Sequence, residues 1–315
     1  MPMKAFITFI ELRTKVASLL PFLLGTALAY YTLETLYLER FFLMLIALLC
    51  IDMATTGLNH FYDAKRAIVT TGYHYDEHNP ITSGQLNRKR AKRYLIELLL
   101  VGSSAGIGLT LLTDPFVLVL GGLSFIIGIV YSAGPLPLSR TILGELFSGL
   151  FMGLLITFIS FYIQVPNGYL GELSFSLSFI YFSIKLTEAL PVVLLGLQLS
   201  LMIGNIMLAN NICDREEDIL NKRFTLPVVM GLQKSVILFK LNTIIAYVIL
   251  CLGILLKLLP FMMLVTLVTL PIIYKRARIF CANPVKSKTF KLAVGNFLIF
   301  ASTLLLTLLV SILMK

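Results

Sequence analysis

About nine apolar stretches, each close to the length needed to cross a bilayer, follow one another along this 315-residue chain with little between them. A hydrocarbon core of roughly 30 Å takes about 20 apolar residues of helix to span. Backbone in lipid must satisfy its own hydrogen bonds, so only helices or a closed barrel can cross. These runs are too long and too evenly apolar for alternating barrel strands. They fall near residues 14–33, 41–61, 94–112, 115–132, 143–164, 187–209, 236–256, 259–274 and 292–313, with a further piece at 174–184 that reads as re-entrant or interfacial. The expected fold is all-α: a multi-pass transmembrane helical bundle of about nine helices, in a single membrane domain over 1–315. A composition of 58% hydrophobic and 13% charged residues excludes an ordinary soluble domain, where about a quarter of residues are charged.

The first run begins after Glu11, Arg13 and Lys15 and lacks a small-residue cleavage site, so it reads as a retained helix rather than a signal peptide. Cys50, Cys213, Cys251 and Cys281 are scattered, without the spacing of a zinc site or a disulfide framework. His60, His74 and His78 fall in one loop-facing segment.

A net charge of +10 does not imply nucleic acid, because the basic residues follow topology. With the N-terminus in the cytoplasm, 22 of 26 Lys and Arg lie on the inside, and only Arg40, Lys185, Lys257 and Lys315 lie outside. That asymmetry is the positive-inside pattern of a cell-membrane protein.

Against this background stand two polar islands, Asn59 to Gln85 and Asn210 to Gly231, both placed on the cytoplasmic side. They hold seven of the sixteen acidic residues: Asp63, Asp76, Glu77, Asp214, Glu216, Glu217 and Asp218. Charges near hydrocarbon are costly, so such clusters point to ions, protons or charged substrates. Residues three, four and seven apart share a helix face. Asn211, Asp214 and Asp218 therefore project together from the cytoplasmic end of the sixth helix or its extension, and Asp52, Thr56, Asn59 and Asp63 lie along the second. Hard carboxylate oxygens of this kind suit Mg²⁺, which keeps waters and shares its remaining positions with phosphates. Lys65 and Arg66 follow Asp63, and Lys222 and Arg223 follow Asp218, adding the cations that a diphosphate needs.

The stretch Asn210-Asn211-Ile212-Cys213-Asp214-Arg215-Glu216-Glu217-Asp218, followed by Asn221-Lys222-Arg223-Phe224-Thr225-Leu226-Pro227, resembles the second motif of UbiA-type intramembrane prenyltransferases. It is most similar to the branch that acts on 1,4-dihydroxy-2-naphthoate in menaquinone synthesis, except that Phe224 separates Arg223 from Thr225. Asn59 through Arg66 is similar to the first motif, Pro80-Ile81-Thr82-Ser83-Gly84 to the turn that follows it, and YSAGPLPLSRTILGE from Tyr131 to Glu145 to the loop after the fourth helix. His60 stands where an acid is frequent, and Ala67 or Val69 where a further acid is common; Asp76 or Glu77 could supply that ligand instead.

The resemblance implies a lateral cavity in which Mg²⁺ binds a polyprenyl diphosphate whose chain is transferred to an aromatic acceptor. By that resemblance Asp63, Asp76, Asp214 and Asp218 hold metal. Asn59, Lys65, Arg66, Arg140, Asn211, Lys222 and Arg223 contact the diphosphate. Tyr131 lies near the ionising carbon, and Asp52, deeper in the second helix, is either an acceptor contact or base or the partner of another buried polar group. Other readings are a UbiA-type enzyme with a hydroxybenzoate, homogentisate or haem acceptor, a cation-coupled transporter, or an inactive scaffold. Two acidic motifs on one side of the membrane favour the enzyme, since transport needs groups reachable from both faces.

Overall fold

The computed structural model describes residues 2–66, 79–134, 137–176 and 178–315. A short helix, α1 (Pro2–Phe9), precedes a 3-10 turn (Leu12–Lys15) that runs into α2 (Val16–Leu33). Then come α3 (Leu38–Arg66), α4 (Arg88–Leu112) and α5 (Pro115–Ser132). The next crossing, α6 (Gly144–Tyr162), has a π-helical turn at Leu150–Leu155. The second half contains α7 (Leu186–Cys213), the short α8 (Arg215–Leu220) and α9 (Leu226–Met230), α10 (Leu232–Leu255), α11 (Leu270–Ala282) and α12 (Phe290–Leu313).

Among the described residues, eight helices are long and apolar enough to span a membrane. The crossing expected at 259–274 is built differently: a 3-10 helix, Phe261–Thr269, continues directly into α11. At about 2.0 Å per 3-10 residue and about 1.5 Å per α residue, the combined piece still reaches across roughly 30 Å. Contacts at the two ends require it to cross. Lys315 Nζ lies 2.9 Å from Glu34, at the end reached after one crossing, and Lys286 Nζ lies 2.6 Å from Asp214, at the other end. Only an odd number of passes places the last residue beside Glu34.

The expected piece at 174–184 is an antiparallel hairpin, β1 (Gly171–Phe175) paired with β2 (Ile180–Ile184), with Gly171 opposite Ile184. A lone hairpin is marginal in water. Here it leans on the bundle through Phe182, whose ring centroid is 5.4 Å from that of Phe116, and Lys185 donates its side chain to Gly168 O.

α7 is the axis of the bundle: 72% of its most apolar window is buried, against 11% for α5 on the rim. Small residues allow α6 to lie almost against it. A Cβ on Gly149 would come within 2.5 Å of Ser200 O, and one on Gly153 within 2.3 Å of Ser200 N. Packing of helices in lipid depends on such close approach rather than on hydrophobic exclusion. The apolar core gathers Leu24, Leu28, Leu195, Leu199, Phe297, Phe300 and Leu304 from α2, α7 and α12.

Candidate active site

The two aspartates of the second island each come with a cation. Asp214, which ends α7, receives Lys286 Nζ at 2.6 Å and the side-chain amide of Asn210 at 3.1 Å. Asp218, one turn further on in α8, lies 3.1 Å from Arg223 Nε, and its other oxygen accepts from Thr225 Oγ1 at 2.9 Å. Only 2% of Asp218 is exposed. Burial pushes the Asp218 carboxyl above its ordinary pKa, opposed by Arg223 and Thr225 and assisted by the negative charge of Asp214.

The loop after α5 is tied to the turn after α8. Arg140 donates to Asn221 O at 2.7 Å, Arg223 donates to Ser139 O at 3.2 Å, and the Phe224 N–H donates to Arg140 O at 2.9 Å. The extra residue Phe224 therefore uses its backbone to dock the two loops while its ring is exposed. Lys222, in this turn with φ of 53°, points its exposed side chain outward. Tyr131, at the end of α5, hydrogen-bonds Ser148 and stands near Glu145 and Arg223. Glu145 Oε1 accepts from Asn211 Nδ2 at 2.8 Å, which joins the start of α6 to the end of α7.

The first island rises from α3, which carries Asp52, Asn59, Asp63, Lys65 and Arg66 as the helical spacing predicts. Asn59 and Asp63 are half-buried and Lys65 is exposed. Asp76 lies outside the described residues, as does the side chain of Arg66. The turn at Pro80–Gly84, where Gly84 adopts φ of 74°, is held against α3 by Asn79, which donates to His60 O at 2.8 Å. Asp52 is engaged on both oxygens: Lys15 Nζ sits 2.7 Å from Oδ1 and Ser18 Oγ 2.6 Å from Oδ2. Lys15 also donates to Thr56 Oγ1, and only 2% of its surface is exposed.

Glu11 sits beside the first island. Its carboxylate lies 3.1 Å from His60 Nε2 and feels Lys286, the partner of Asp214. Burial opposes the charged form of Glu11, yet His60, Lys15 and Lys286 together hold its pKa below the usual value.

Among the described residues no three His, Cys, Asp or Glu side chains converge closely enough to hold a metal alone. Asp214 and Asp218 nonetheless form an all-oxygen donor set flanked by cations, which fits a hard divalent ion that completes its shell with waters and phosphate oxygens. Three residues of the site escaped the sequence reading as site members. Lys286 lies outside both polar islands, Thr225 carries no charge, and Glu145 is 66 residues from its partner in sequence. A glutamate opening an apolar crossing was the available signal for the last.

A model of the UbiA prenyltransferase family matches residues 18–304 of the chain. The chain belongs to the UbiA prenyltransferase family. This UbiA-family chain is 30% identical, over 239 residues, to 1,4-dihydroxy-2-naphthoate octaprenyltransferase of Bacillus subtilis (strain 168), a match covering 75% of it and 68% of that protein. Its fold is similar to that of a UbiA homologue from Aeropyrum pernix K1, with a TM-score of 0.67, 18% identity, and 93% and 98% of the two chains covered. It is also similar to a UbiA homologue from Archaeoglobus fulgidus bound to GPP and Mg²⁺, with a TM-score of 0.63, 15% identity, and 98% and 99% covered. The UbiA-family chain is thus a multi-pass membrane enzyme of the prenyltransferase class.

Proposed function

We propose that the protein transfers a polyprenyl chain from a polyprenyl diphosphate to 1,4-dihydroxy-2-naphthoate, in a Mg²⁺-dependent reaction giving a demethylmenaquinone in its quinol form, with release of CO₂ and diphosphate. The observation that carries this reading is the pair of cation-matched carboxylates, Asp214 with Lys286 and Asp218 with Arg223, set at the end of the most buried helix. The 30% identity to a naphthoate octaprenyltransferase supports the acceptor, and the GPP and Mg²⁺ bound by an archaeal homologue of the same fold support the donor and the metal.

Asp214 and Asp218 of the second motif and Asp63 of the first would hold Mg²⁺, which supplies positive charge to the departing diphosphate. Lys286 and Arg223 are placed to turn from the aspartates to phosphate oxygens, with Lys65, Arg66, Arg140 and Lys222 adding positive charge around them. Asn211 uses one amide hydrogen on Glu145 and keeps a second for a phosphate, and Asn59 offers the same group from α3. Breaking the allylic C–O bond leaves a delocalised cation, which the ring face of Tyr131 stabilises while apolar helix walls exclude water. The ring carbon bearing the carboxylate bonds to the prenyl C1, and the carboxylate leaves as CO₂, returning its electron pair to the ring.

Both islands face the cytoplasm of a cell-membrane protein in this reading, because 22 of 26 Lys and Arg lie on their side. Purified protein incubated with Mg²⁺, a polyprenyl diphosphate and a panel of aromatic acids tests the proposal: mass analysis should show prenylated naphthol. Absence of any prenylated product, or a product made equally in EDTA, would reject it.

A further inference from the structure

Two buried acceptors near the aspartates lack donors among the described residues. Glu145 Oε2 and Asn211 Oδ1 have no hydrogen-bond partner there, although Glu145 is only 6% exposed and Asn211 only 1%. Buried polar atoms are almost always satisfied, so two such oxygens on a hydrogen-bonded pair of side chains mark a place open to a donor that the described residues do not supply. In the structure Asn211 turns its amide nitrogen to Glu145 Oε1 and leaves its oxygen, which can only accept, for something else.

Position narrows what that donor is. Asn211 precedes Asp214 by three residues on α7, which sets the pair about 4.5 Å deeper into the membrane than the first aspartate. A prenyl diphosphate held at the aspartates runs its hydrocarbon in that direction, so the pair stands at the level of its first carbons. Tyr131 is at the same level, hydrogen-bonded to Ser148 and close to Glu145 and Arg223. The neighbouring cations serve other groups, Arg223 on Asp218 and Lys286 on Asp214, and no third metal-binding side chain joins Glu145 among the described residues. Hydroxyl groups of a substrate fit two acceptors better than a further cation does.

We propose that Glu145 Oε2 and Asn211 Oδ1 accept hydrogen bonds from the ring hydroxyls of the aromatic acceptor, so that Glu145 selects a hydroxylated ring and presents it to the prenyl C1. The inference rests on the prenyl-transfer reading above, but not on the ring being a naphthoate. Gly204 lets α7 lie close to the start of α6, since a Cβ there would sit 3.3 Å from Glu145 O.

The test is kinetics and binding on wild type, Glu145→Gln and Glu145→Ala, with each substrate varied separately. Glu145→Ala should raise the acceptor KM roughly 10- to 100-fold, the worth of a hydrogen bond to a charged group, while the prenyl diphosphate KM and Mg²⁺ requirement change less than about twofold. Direct binding of 1,4-dihydroxy-2-naphthoate against 2-naphthoate, which lacks the hydroxyls, needs no turnover; wild type should prefer the dihydroxy ring and Glu145→Ala should not. Glu145→Gln preserves volume, and its retained binding of prenyl diphosphate shows that the fold survives. An equal shift in diphosphate KM or Mg²⁺ requirement, or a hydroxyl preference that persists in Glu145→Ala, would overturn the inference and leave the two oxygens to metal or to water. Failure of the naphthoate reading would look different: wild type would prefer another ring, and the Glu145 comparison would be run on that ring.

Discussion

Asp218 shows how one side chain ties local packing to metal chemistry. Burial keeps its proton bound to higher pH than in a free aspartate, whose pKa is about 3.9. A metal must displace that proton, so apparent Mg²⁺ affinity should climb with pH through the range above the ordinary aspartate value and level off once Asp218 is ionised. Titrating Mg²⁺ binding at several pH values checks this, and Asp218→Asn should flatten the dependence. The same variant, and Asp214→Asn, should lower turnover on the order of 100-fold or more while the protein stays folded, because each removes a group placed where charge develops. Asp52 belongs to a different kind of site. Its carboxylate neutralises the buried Lys15, and removing one member of such a pair costs about 3–5 kcal/mol. Asp52→Asn should therefore lower the thermal midpoint of the purified protein markedly, a readout that loss of a solvated base would not move.

At the scale of helices, the site depends on how closely α6 approaches α7. Gly149 and Gly153 bring the two backbones together, and this places Glu145 beside Asn211. Gly153→Val should destabilise the protein by about 1–3 kcal/mol through overpacking and should weaken acceptor binding with it, as thermal unfolding and ligand titration would show. Helical faces were legible in the sequence because period and spacing are local: Asp52, Asn59 and Asp63 do share α3, and Asn211 and Asp214 do end α7. Partners between helices were not legible. Lys15 with Asp52, Glu145 with Asn211 and Lys286 with Asp214 are separated by 37, 66 and 72 residues, and no periodicity encodes such pairings. Local geometry also escaped hydropathy, which reports apolar length alone. The 3-10 turn at Phe261–Thr269 differs from the expected helix for that reason, and the hairpin form of the piece expected as re-entrant or interfacial at 174–184 was not readable from it.

Across the whole molecule, the described parts of the two polar islands and the loop from Leu138 to Arg140 lie at one end, while Glu34 and Lys315 meet at the other. An odd number of crossings and the lopsided distribution of Lys and Arg together predict that the island end faces the cytoplasm and the C-terminus lies outside. Single cysteines at Glu217→Cys and Lys257→Cys, in a background lacking the four native half-buried cysteines, should be labelled from opposite sides of intact membranes. Labelling from the same side would reject this topology. The chemistry is tested most directly by one competition assay. Purified protein would receive Mg²⁺, a polyprenyl diphosphate, 4-hydroxybenzoate, and 1,4-dihydroxy-2-naphthoate labelled in its carboxylate carbon. Prenylated naphthol should predominate, with the label released as CO₂ and all product abolished by EDTA. Equal or greater prenylation of 4-hydroxybenzoate with its carboxylate retained, or turnover that persists in EDTA, would contradict it.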